Sequence, residues 1–492
     1  MATLTKHRSY INFPIILRVI GLLLLIEAAL MVFPLIVALI RHAGKPIPFL
    51  LSMGITGIAG VGLMSLKTHS REMGKREAIM LTSLTWIILS MFGMLPFIIG
   101  DTHLSITDAF FETISGFTTT GMSVIGTLDN VPRSIILWRC LTQWFGGMGI
   151  ILFTLAVVPM LNSSGGIMLF NAEVTGITHD KLAPRVSYTA KSLWLIYISL
   201  TILLIGFLLF SEMKPFDAVC YGLSTISTGG FATQDMSIGE WDNLYIKIVM
   251  SVFMFLGGVN FSLIFQSLHG RFSAVRSNTV FKWYLWWIVA AYLLFCVNII
   301  RQGLVEDAGD LTIDPIFQAI SFISSTGMTE PNFAEWGALS EIVMVILIFT
   351  GACAGSTSGG AKLDRIVVLA KFLRNEFYKL MHPNAVTTVQ MNGKGTSYML
   401  VQKSLAFLFM YIIAIMGGGT ILSILGLSLH DAFFYALSSI SNAGLGTEVS
   451  VVTQHYSSIA IPAKWIMALL MLVGRLELYT VLLLFTPFFW RK

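Results

Sequence analysis

The sequence predicts an all-α membrane protein with ten transmembrane helices, arranged as two leading spans and then four repeats of helix, pore loop and helix around one pore. Three observations support this prediction. Of the 492 residues, 55% are apolar and only 12% are charged, against about 25% charged in a soluble domain. The apolar residues form stretches long enough to cross a hydrocarbon core about 30 Å thick. A pattern of Asp, Ser and Gly also occurs four times at one fixed spacing.

Ten apolar stretches are long enough to be spans, and an even number places both termini on one side of the membrane. Basic residues gather at both termini and in alternate loops, which makes that side cytoplasmic by the positive-inside bias. Most acidic residues fall in the opposite loops, where they either raise the local cation concentration or are simply solvated. The predicted spans are residues 14–40, 48–66, 78–100, 133–160, 189–211, 245–268, 281–300, 340–372 (interrupted), 399–427 and 459–489.

A fourteen-residue segment recurs between pairs of these spans. In each copy a Ser follows the Asp by seven residues and a Gly follows it by thirteen, without a gap. The copies are DAFFETISGFTTTG from Asp108, DAVCYGLSTISTGG from Asp217, DPIFQAISFISSTG from Asp314 and DAFFYALSSISNAG from Asp431. They divide the chain into a leading unit at 1–72 and pore repeats at 73–162, 163–270, 271–385 (with an intramembrane loop) and 386–492.

Each segment predicts a short re-entrant helix that begins at the Asp and stops before the Gly. About ten residues cannot cross the bilayer, Asp is a favoured N-cap, and Pro315 follows Asp314 at a position that favours Pro. Non-helical backbone at membrane depth must be buried in protein or line a watery cavity. A single copy would be an ordinary half-helix with a Gly C-cap, but four copies in register favour a pore.

Four such loops around one axis would supply rings of carbonyl oxygens that replace the hydration shell of a potassium ion. The helix C-termini would direct their negative dipole ends toward the ion, and Gly permits backbone conformations closed to other residues. The predicted potassium-binding filter consists of the backbone carbonyls of Thr119, Thr120, Gly121, Thr228, Gly229, Gly230, Ser325, Thr326, Gly327, Asn442, Ala443 and Gly444. Potassium at these residues is the only metal ion predicted.

The span after the third loop is interrupted by twelve small residues, from Thr350 to Ala361. Glycines at intervals of four within it also suit a close-packed face of a membrane helix, but the length of the run favours a flexible gate below the filter. The predicted gate residues are Gly351, Gly355, Ser356, Thr357, Gly359 and Gly360. Lys362, Asp364 and Arg365 then mark the cytoplasmic exit.

Arg475 lies near the middle of the last predicted span, where an uncompensated charge costs at least about 2.5 kcal/mol. We expect it to pack behind the filter, bond loop carbonyls and act as a counter-charge that slows conduction. The alternative is a structural ion pair, although Glu477 is two residues away and does not share its helical face. Glu27 in the first span is expected to form an interhelical hydrogen bond.

Six motifs in and beside these segments are distinctive: FTTTGMSVI from Phe117, QWFGGMGI from Gln143, STISTGGFATQD from Ser224, GACAGSTSGGAK from Gly351, SNAGLG from Ser441 and GRLE from Gly474. In these motifs the chain resembles the membrane subunit of the Trk/Ktr/HKT superfamily of potassium transporters, and most closely the bacterial Trk type. The resemblance implies a homodimer in the bacterial inner membrane, with one pore in each chain. It also implies a cytosolic RCK-type partner that binds nucleotides and controls opening. Glycine at all four filter positions implies potassium selectivity.

Two other classes of protein compete with this interpretation. A proton- or sodium-coupled secondary transporter (a symporter) of less strict selectivity would use broken helices around a midplane site. That class predicts two related halves and ionisable residues in the spans, where we identify only Arg475 and Glu27. An enzyme would need a motif such as HExxH or GxSxG, and neither occurs. We therefore expect no enzymatic activity, no bound cofactor and no nucleic-acid partner. The protein is expected to lie in the lipid bilayer and to transport potassium as its substrate.

Overall fold

The computed structural model describes residues 11–41, 44–67, 73–149, 186–241, 243–305, 308–446 and 456–491. Both ends of the chain, residues 150–160 of the fourth predicted span and the predicted boundary between repeats 1 and 2 lie outside these residues. The prediction of a mostly helical chain with several apolar spans is confirmed.

The two leading spans pack against each other as a helical hairpin. The first runs over Phe13–Leu30 and continues as Val32–Arg41, and the second runs over Ile47–Met64. A Cβ added to Gly21 would lie 2.7 Å from the carbonyl oxygen of Gly60, so the two backbones approach closely. Small residues permit this approach in membrane helices, where dispersion contacts hold helices together.

Each of the four repeats consists of a first helix, a short pore helix and a second helix. Repeat 1 contains Lys75–Gly93 with Leu95–Ile99, Ile106–Phe117 and Arg133–Gly147. Repeat 2 contains Val186–Leu209, Pro215–Ile226 and Leu244–Gly258, followed by Phe261–Leu268. Repeat 3 contains Thr279–Gln302, Ala308–Ile323 and Ala338–Thr350, followed by Leu363–Met381. Repeat 4 contains Tyr398–Ile424, Leu429–Ile440 and Ile461–Arg475, followed by Tyr479–Leu484.

Short elements complete the described chain. They are the helices Phe272–Ser277 and Pro487–Trp490, the 3-10 turns Ser237–Glu240, Pro331–Trp336 and Tyr456–Ser458, and an antiparallel pair of strands, Gln390–Met391 and Lys394–Gly395. One large apolar core lies mainly in repeats 2 and 3, with some residues from repeats 1 and 4, and another joins the leading hairpin to repeats 1 and 4.

Within the described residues, six helices are long and apolar enough to cross a membrane. A seventh span results if Leu244–Gly258 and Phe261–Leu268, which bend by 105°, are one broken span. The ranges 245–268 and 459–489, each predicted as one span, are each divided into two helices. At the first break, the Asn260 side chain accepts the N–H of Ser262 at 2.8 Å and so starts a new helix. The count of ten spans stays a prediction.

The predicted start of each pore helix at its Asp is also wrong. In repeat 1 the N-cap is Ser105, which accepts the N–H of Asp108 and donates its hydroxyl to the Asp108 carboxylate at 2.8 Å. Ser428 and Asp431 form the same arrangement in repeat 4. An earlier Ser thus takes the cap, while the Asp occupies the first turn and still favours the positive end of the helix dipole. Pro315 lies inside its helix rather than at the first position.

Candidate functional site

Each pore helix ends in the same backbone turn. The residue two positions before the filter glycine has a φ between 50° and 54°; these residues are Thr119, Thr228, Ser325 and Asn442. The next N–H along the chain donates to the carbonyl of the repeated Ser, at 2.8 to 3.0 Å in all four loops. This is a Schellman turn. The Ser that recurs seven residues after the Asp is therefore the residue whose carbonyl closes the turn.

The four filter glycines lie against the neighbouring loops in cyclic order. Each has a positive φ, from 71° at Gly444 to 89° at Gly121. A Cβ added to any of them would lie well under 3.0 Å from a backbone carbonyl oxygen of the next loop. Real Cβ atoms essentially never come so close to another heavy atom. The facing pairs are Gly121 and Gly229, Gly230 and Thr326, Gly327 and Ala443, and Gly444 and Thr120. Because this series returns to its first loop, the four loops surround one axis.

Side-chain hydrogen bonds join the fourth loop to the first. The Asn442 amide donates to the Thr120 hydroxyl at 2.9 Å and to the Met471 carbonyl at 3.0 Å. The Thr120 hydroxyl also bonds that of Thr118 at 2.7 Å. All twelve predicted filter residues are thus brought together, although their binding of an ion stays a prediction.

Ion pairs and ring contacts join the second helix of one repeat to the pore helix of the next. Lys464 of repeat 4 pairs with Asp108 at 2.5 Å, and Lys247 of repeat 2 pairs with Asp314 at 2.9 Å. His430 of repeat 4 meets Glu341 of repeat 3 at 2.6 Å, and the Arg133 guanidinium lies over the Phe216 ring between repeats 1 and 2. The recurring Asp is thus a pairing point between repeats in two of the four copies.

A buried ion pair lies beside the outer side of the filter ring. Arg139 bonds Glu112 at 2.7 Å, and the two side chains are 2% and 0% exposed. Glu112 also accepts the Val124 N–H at 2.9 Å, and Arg139 lines a cavity of about 70 Å³ that all four filter glycines border. Our statement that the spans hold only Arg475 and Glu27 as ionisable residues is therefore wrong. Arg139 within an apolar stretch and Glu112 in the preceding pore helix could have indicated this buried ion pair from the sequence.

The predicted gate loop is not helical. The alternative interpretation of its glycines, as a close-packed face of a membrane helix, is therefore wrong. Gly351, Gly355 and Gly360 have φ values of 64° to 78°, which a regular helix does not contain. Hydrogen bonds fix the loop to the ends of three pore helices. The Gly359 N–H donates to the Ser325 hydroxyl at 2.6 Å and the Gly360 N–H to the Ser441 carbonyl at 3.0 Å.

Two hydroxyls of the loop complete these contacts. The Thr357 hydroxyl bonds the carbonyls of Ile226 and Gly257, each at 3.1 Å, and Ser356 bonds the Cys353 carbonyl at 2.6 Å. The six predicted gate residues therefore form one continuous segment that lies directly beneath the filter turns.

Arg475 is the last residue of its helix, not the middle of a span. It donates to the Thr357 carbonyl at 3.0 Å and to the Gly146 carbonyl at 2.7 Å, so the expected bond to a loop carbonyl is made with the gate loop. Glu477 pairs instead with Arg365 at 2.5 Å. A second cavity on this side of the filter is bordered by the gate loop, Asn442 and Arg475.

Three further charged residues that the sequence analysis singled out are buried. Lys362 and Asp364 were predicted to mark the cytoplasmic exit, which stays a prediction, and Asp364 accepts the Ala354 N–H at 2.6 Å. They fix the end of the gate loop. Glu27 is buried beside Gly93, and the interhelical hydrogen bond predicted for it is not found among the described residues.

Comparison with known proteins identifies the family to which this cyclic arrangement belongs. Residues 49–492 match the model of the TrkH family, described as cation transport proteins. The chain belongs to the TrkH family. Trk system potassium uptake protein TrkH of Vibrio parahaemolyticus is 35% identical over 98% of this chain and 100% of its own length. TrkH of Escherichia coli is also 35% identical, with the same coverage.

The fold of a solved TrkH structure agrees with the one described above. The crystal structure of the potassium transporter TrkH from Vibrio parahaemolyticus superimposes with a TM-score of 0.88 and 32% sequence identity. The superposition covers 98% of this chain and 100% of that one. The family predicted from the motifs is therefore confirmed.

Proposed function

We propose that this TrkH-family chain is the membrane subunit of a potassium uptake system and conducts potassium through a selective pore. The closed ring of four filter loops supports this proposal most directly, because each glycine admits the carbonyl of its neighbour. Relatives that match over nearly the whole chain are named as potassium uptake proteins.

The filter would act through backbone carbonyl oxygens. Carbonyls of the twelve filter residues replace the water around a potassium ion, and the number and field strength of these dipoles favour potassium over sodium. The four pore helices direct their negative C-terminal ends toward the ring. Because Schellman turns hold each helix end, the carbonyls are positioned before an ion enters.

The loop from Gly351 to Gly360 would be the gate. Its glycines allow large changes in φ and ψ, and its hydrogen bonds to Ser325 and Ser441 hold it beneath the filter in this closed arrangement. Arg475 stabilises that arrangement through the Thr357 carbonyl and adds a positive charge near the ion path. Opening therefore requires these bonds to break.

The assembly that we propose is a homodimer in the bacterial inner membrane, with both termini in the cytoplasm. In this assembly a cytosolic RCK-type subunit binds nucleotides and moves the gate. We assign nucleotide binding to that subunit because this chain has no P-loop of its own. The basic cytoplasmic loops predicted from the sequence support the orientation.

The direct test of potassium conduction is ion flux into liposomes that contain the purified protein. We expect uptake of potassium and rubidium to exceed uptake of sodium, because all four filter positions are glycine. Empty liposomes provide the background. Sodium uptake as fast as potassium uptake would refute the selective pore.

Thr357→Val is expected to increase potassium flux about tenfold. Valine keeps the shape of the side chain but removes the hydroxyl that bonds Ile226 and Gly257. Loss of a buried hydrogen bond costs about 1 to 3 kcal/mol, and about 1.4 kcal/mol in favour of the open loop gives the tenfold change.

Thr82→Val is the matched control for that experiment. Thr82 is also buried, and its hydroxyl bonds the Ala78 carbonyl within the first helix of repeat 1, at 2.9 Å. Both variants are compared in the same liposome assay. Equal flux in Thr357→Val, Thr82→Val and the unmodified protein would contradict a gate held by Thr357.

A further inference from the structure

Gln143 holds the filter loop of repeat 2 at three points. It is fully buried in the second helix of repeat 1. Its Nε2 donates to the Gly229 carbonyl at 2.6 Å, and its Oε1 accepts the Ser224 hydroxyl at 2.9 Å and the Phe231 N–H at 3.1 Å. One amide therefore bonds the pore helix, the filter and the segment after the filter.

The sequence of the second loop leaves room for this amide. Gly229 directly precedes the filter glycine Gly230, and the other loops have Thr120, Thr326 and Ala443 at the equivalent position. The φ of Gly229 is not in the left-handed region, so its backbone does not require glycine. A Cβ there would instead lie 2.6 Å from Oε1 and 2.7 Å from Nε2 of Gln143. Gly229 thus leaves the space that the Gln143 amide fills.

The other repeats have no polar side chain at the position of Gln143. Gln143 lies three residues before Gly146. The residues three positions before the corresponding glycines, Gly257, Gly351 and Gly474, are Met254, Ile348 and Met471. In loops 1 and 3 a threonine at the Gly229 position bonds the turn of its own loop, through Thr118 and Ser324 respectively. Loop 2 has no side chain with which to make that bond.

We propose that Gln143 is a positioning residue for ion selectivity: from the neighbouring repeat it holds the backbone of loop 2, which has no hydroxyl at Gly229 to bond within its own turn. The bond to the Gly229 carbonyl fixes the orientation of that peptide. A carbonyl oxygen has two lone pairs, so Gly229 bonds the amide and keeps one lone pair for a potassium ion. This role rests on the proposed potassium pore. It means that the filter backbone of repeat 2 is positioned by a side chain of another repeat.

Gln143→Met tests the proposal, because methionine is similar in length and already occupies the equivalent position in repeats 2 and 4. The potassium-to-sodium flux ratio is measured in liposomes for the unmodified protein, Gln143→Met and the exposed control Gln402→Met. Gln143→Met removes all three hydrogen bonds, of which the one to the Gly229 carbonyl acts on the filter itself. We expect the ratio to fall about three- to tenfold, as loss of that one buried hydrogen bond predicts, and to stay unchanged in the control.

The outcomes separate the two proposals. An unmodified protein that does not prefer potassium would overturn the pore and, with it, the role of Gln143. A selective unmodified protein with an equally selective Gln143→Met variant would overturn the role of Gln143 alone.

A double-mutant cycle tests the fit between Gln143 and Gly229 independently of transport. Gly229→Ala should lower the unfolding temperature in detergent, because the added methyl group meets the amide. Gln143→Ala should also lower it in the unmodified protein, yet should raise it when combined with Gly229→Ala. Additive changes would show that the two residues are not in contact and would overturn the proposal.

Discussion

Gly230→Ala is expected to abolish the preference for potassium and to reduce potassium flux on the order of a hundredfold. The new Cβ would overlap the Thr326 carbonyl oxygen, so that carbonyl or the whole loop must move. A displacement of about 1 Å at a preorganised site causes a loss of this size. The φ of 80° at Gly230 adds strain of about 1 to 2 kcal/mol for a residue with a Cβ. Potassium and sodium uptake into liposomes provides the measurement.

Gly270→Ala separates the backbone strain from the overlap. Gly270 has a φ of 77°, nearly that of Gly230, but no atom lies within 4 Å of the Cβ that alanine would add. The control variant should therefore carry the same strain and keep its selectivity. If the two variants transport both ions alike, the overlap with Thr326 does not control selectivity.

The sequence identified the four glycines that face one another around the ring because the requirements at these positions are local. The position directly after each turn has a positive φ and lies against a carbonyl of the next loop, which restricts it to glycine at Gly121, Gly230, Gly327 and Gly444. The fixed distance from Ser to Gly reflects one Schellman turn of six residues followed directly by this glycine. Such features can be recognised in a single chain without knowledge of its tertiary contacts.

Features that depend on distant contacts were not predicted. Gln143 bonds a residue 86 positions away. Arg475 was expected to bond loop carbonyls, but the sequence did not indicate that one of them is Thr357 of the gate loop, 118 positions away. The starts of the pore helices were misplaced for a different reason. Both Ser105 and Asp108 can cap a helix, and only the structure shows that Ser105 accepts the amide hydrogen bond while Asp108 pairs with Lys464.

The broken second helices were missed because hydropathy does not distinguish one long helix from two short ones. Residues 245–268 and 459–489 are largely apolar on both sides of their glycines, yet each contains a break after its glycine. At Gly474 an added Cβ would overlap the Ile440 carbonyl at the end of a pore helix. The glycine therefore serves packing against the pore helix, and the helix ends one residue later, at Arg475.

Arg139→Met is expected to destabilise the protein by about 3 to 5 kcal/mol, the cost of breaking a buried ion pair. The change leaves the carboxylate of Glu112 without its guanidinium partner at a position where its side chain is 0% exposed. It also removes the contact of the guanidinium with the Phe231 ring, 4.2 Å from the ring centroid. Thermal unfolding of the purified protein in detergent measures the loss.

A second substitution should recover part of that stability. Arg139→Met combined with Glu112→Gln removes both charges, while the Gln carbonyl can still accept the Val124 N–H that bonds Glu112. Lys379→Met is the control, because Lys379 pairs with Glu376 at an exposed site and such pairs contribute about 0 to 1 kcal/mol. Equal losses in Arg139→Met and Lys379→Met would contradict a structural role for the buried pair. Recovery in the double variant would show that the destabilisation comes from the uncompensated Glu112 charge, and that the outer side of the filter is supported by a neutralised pair.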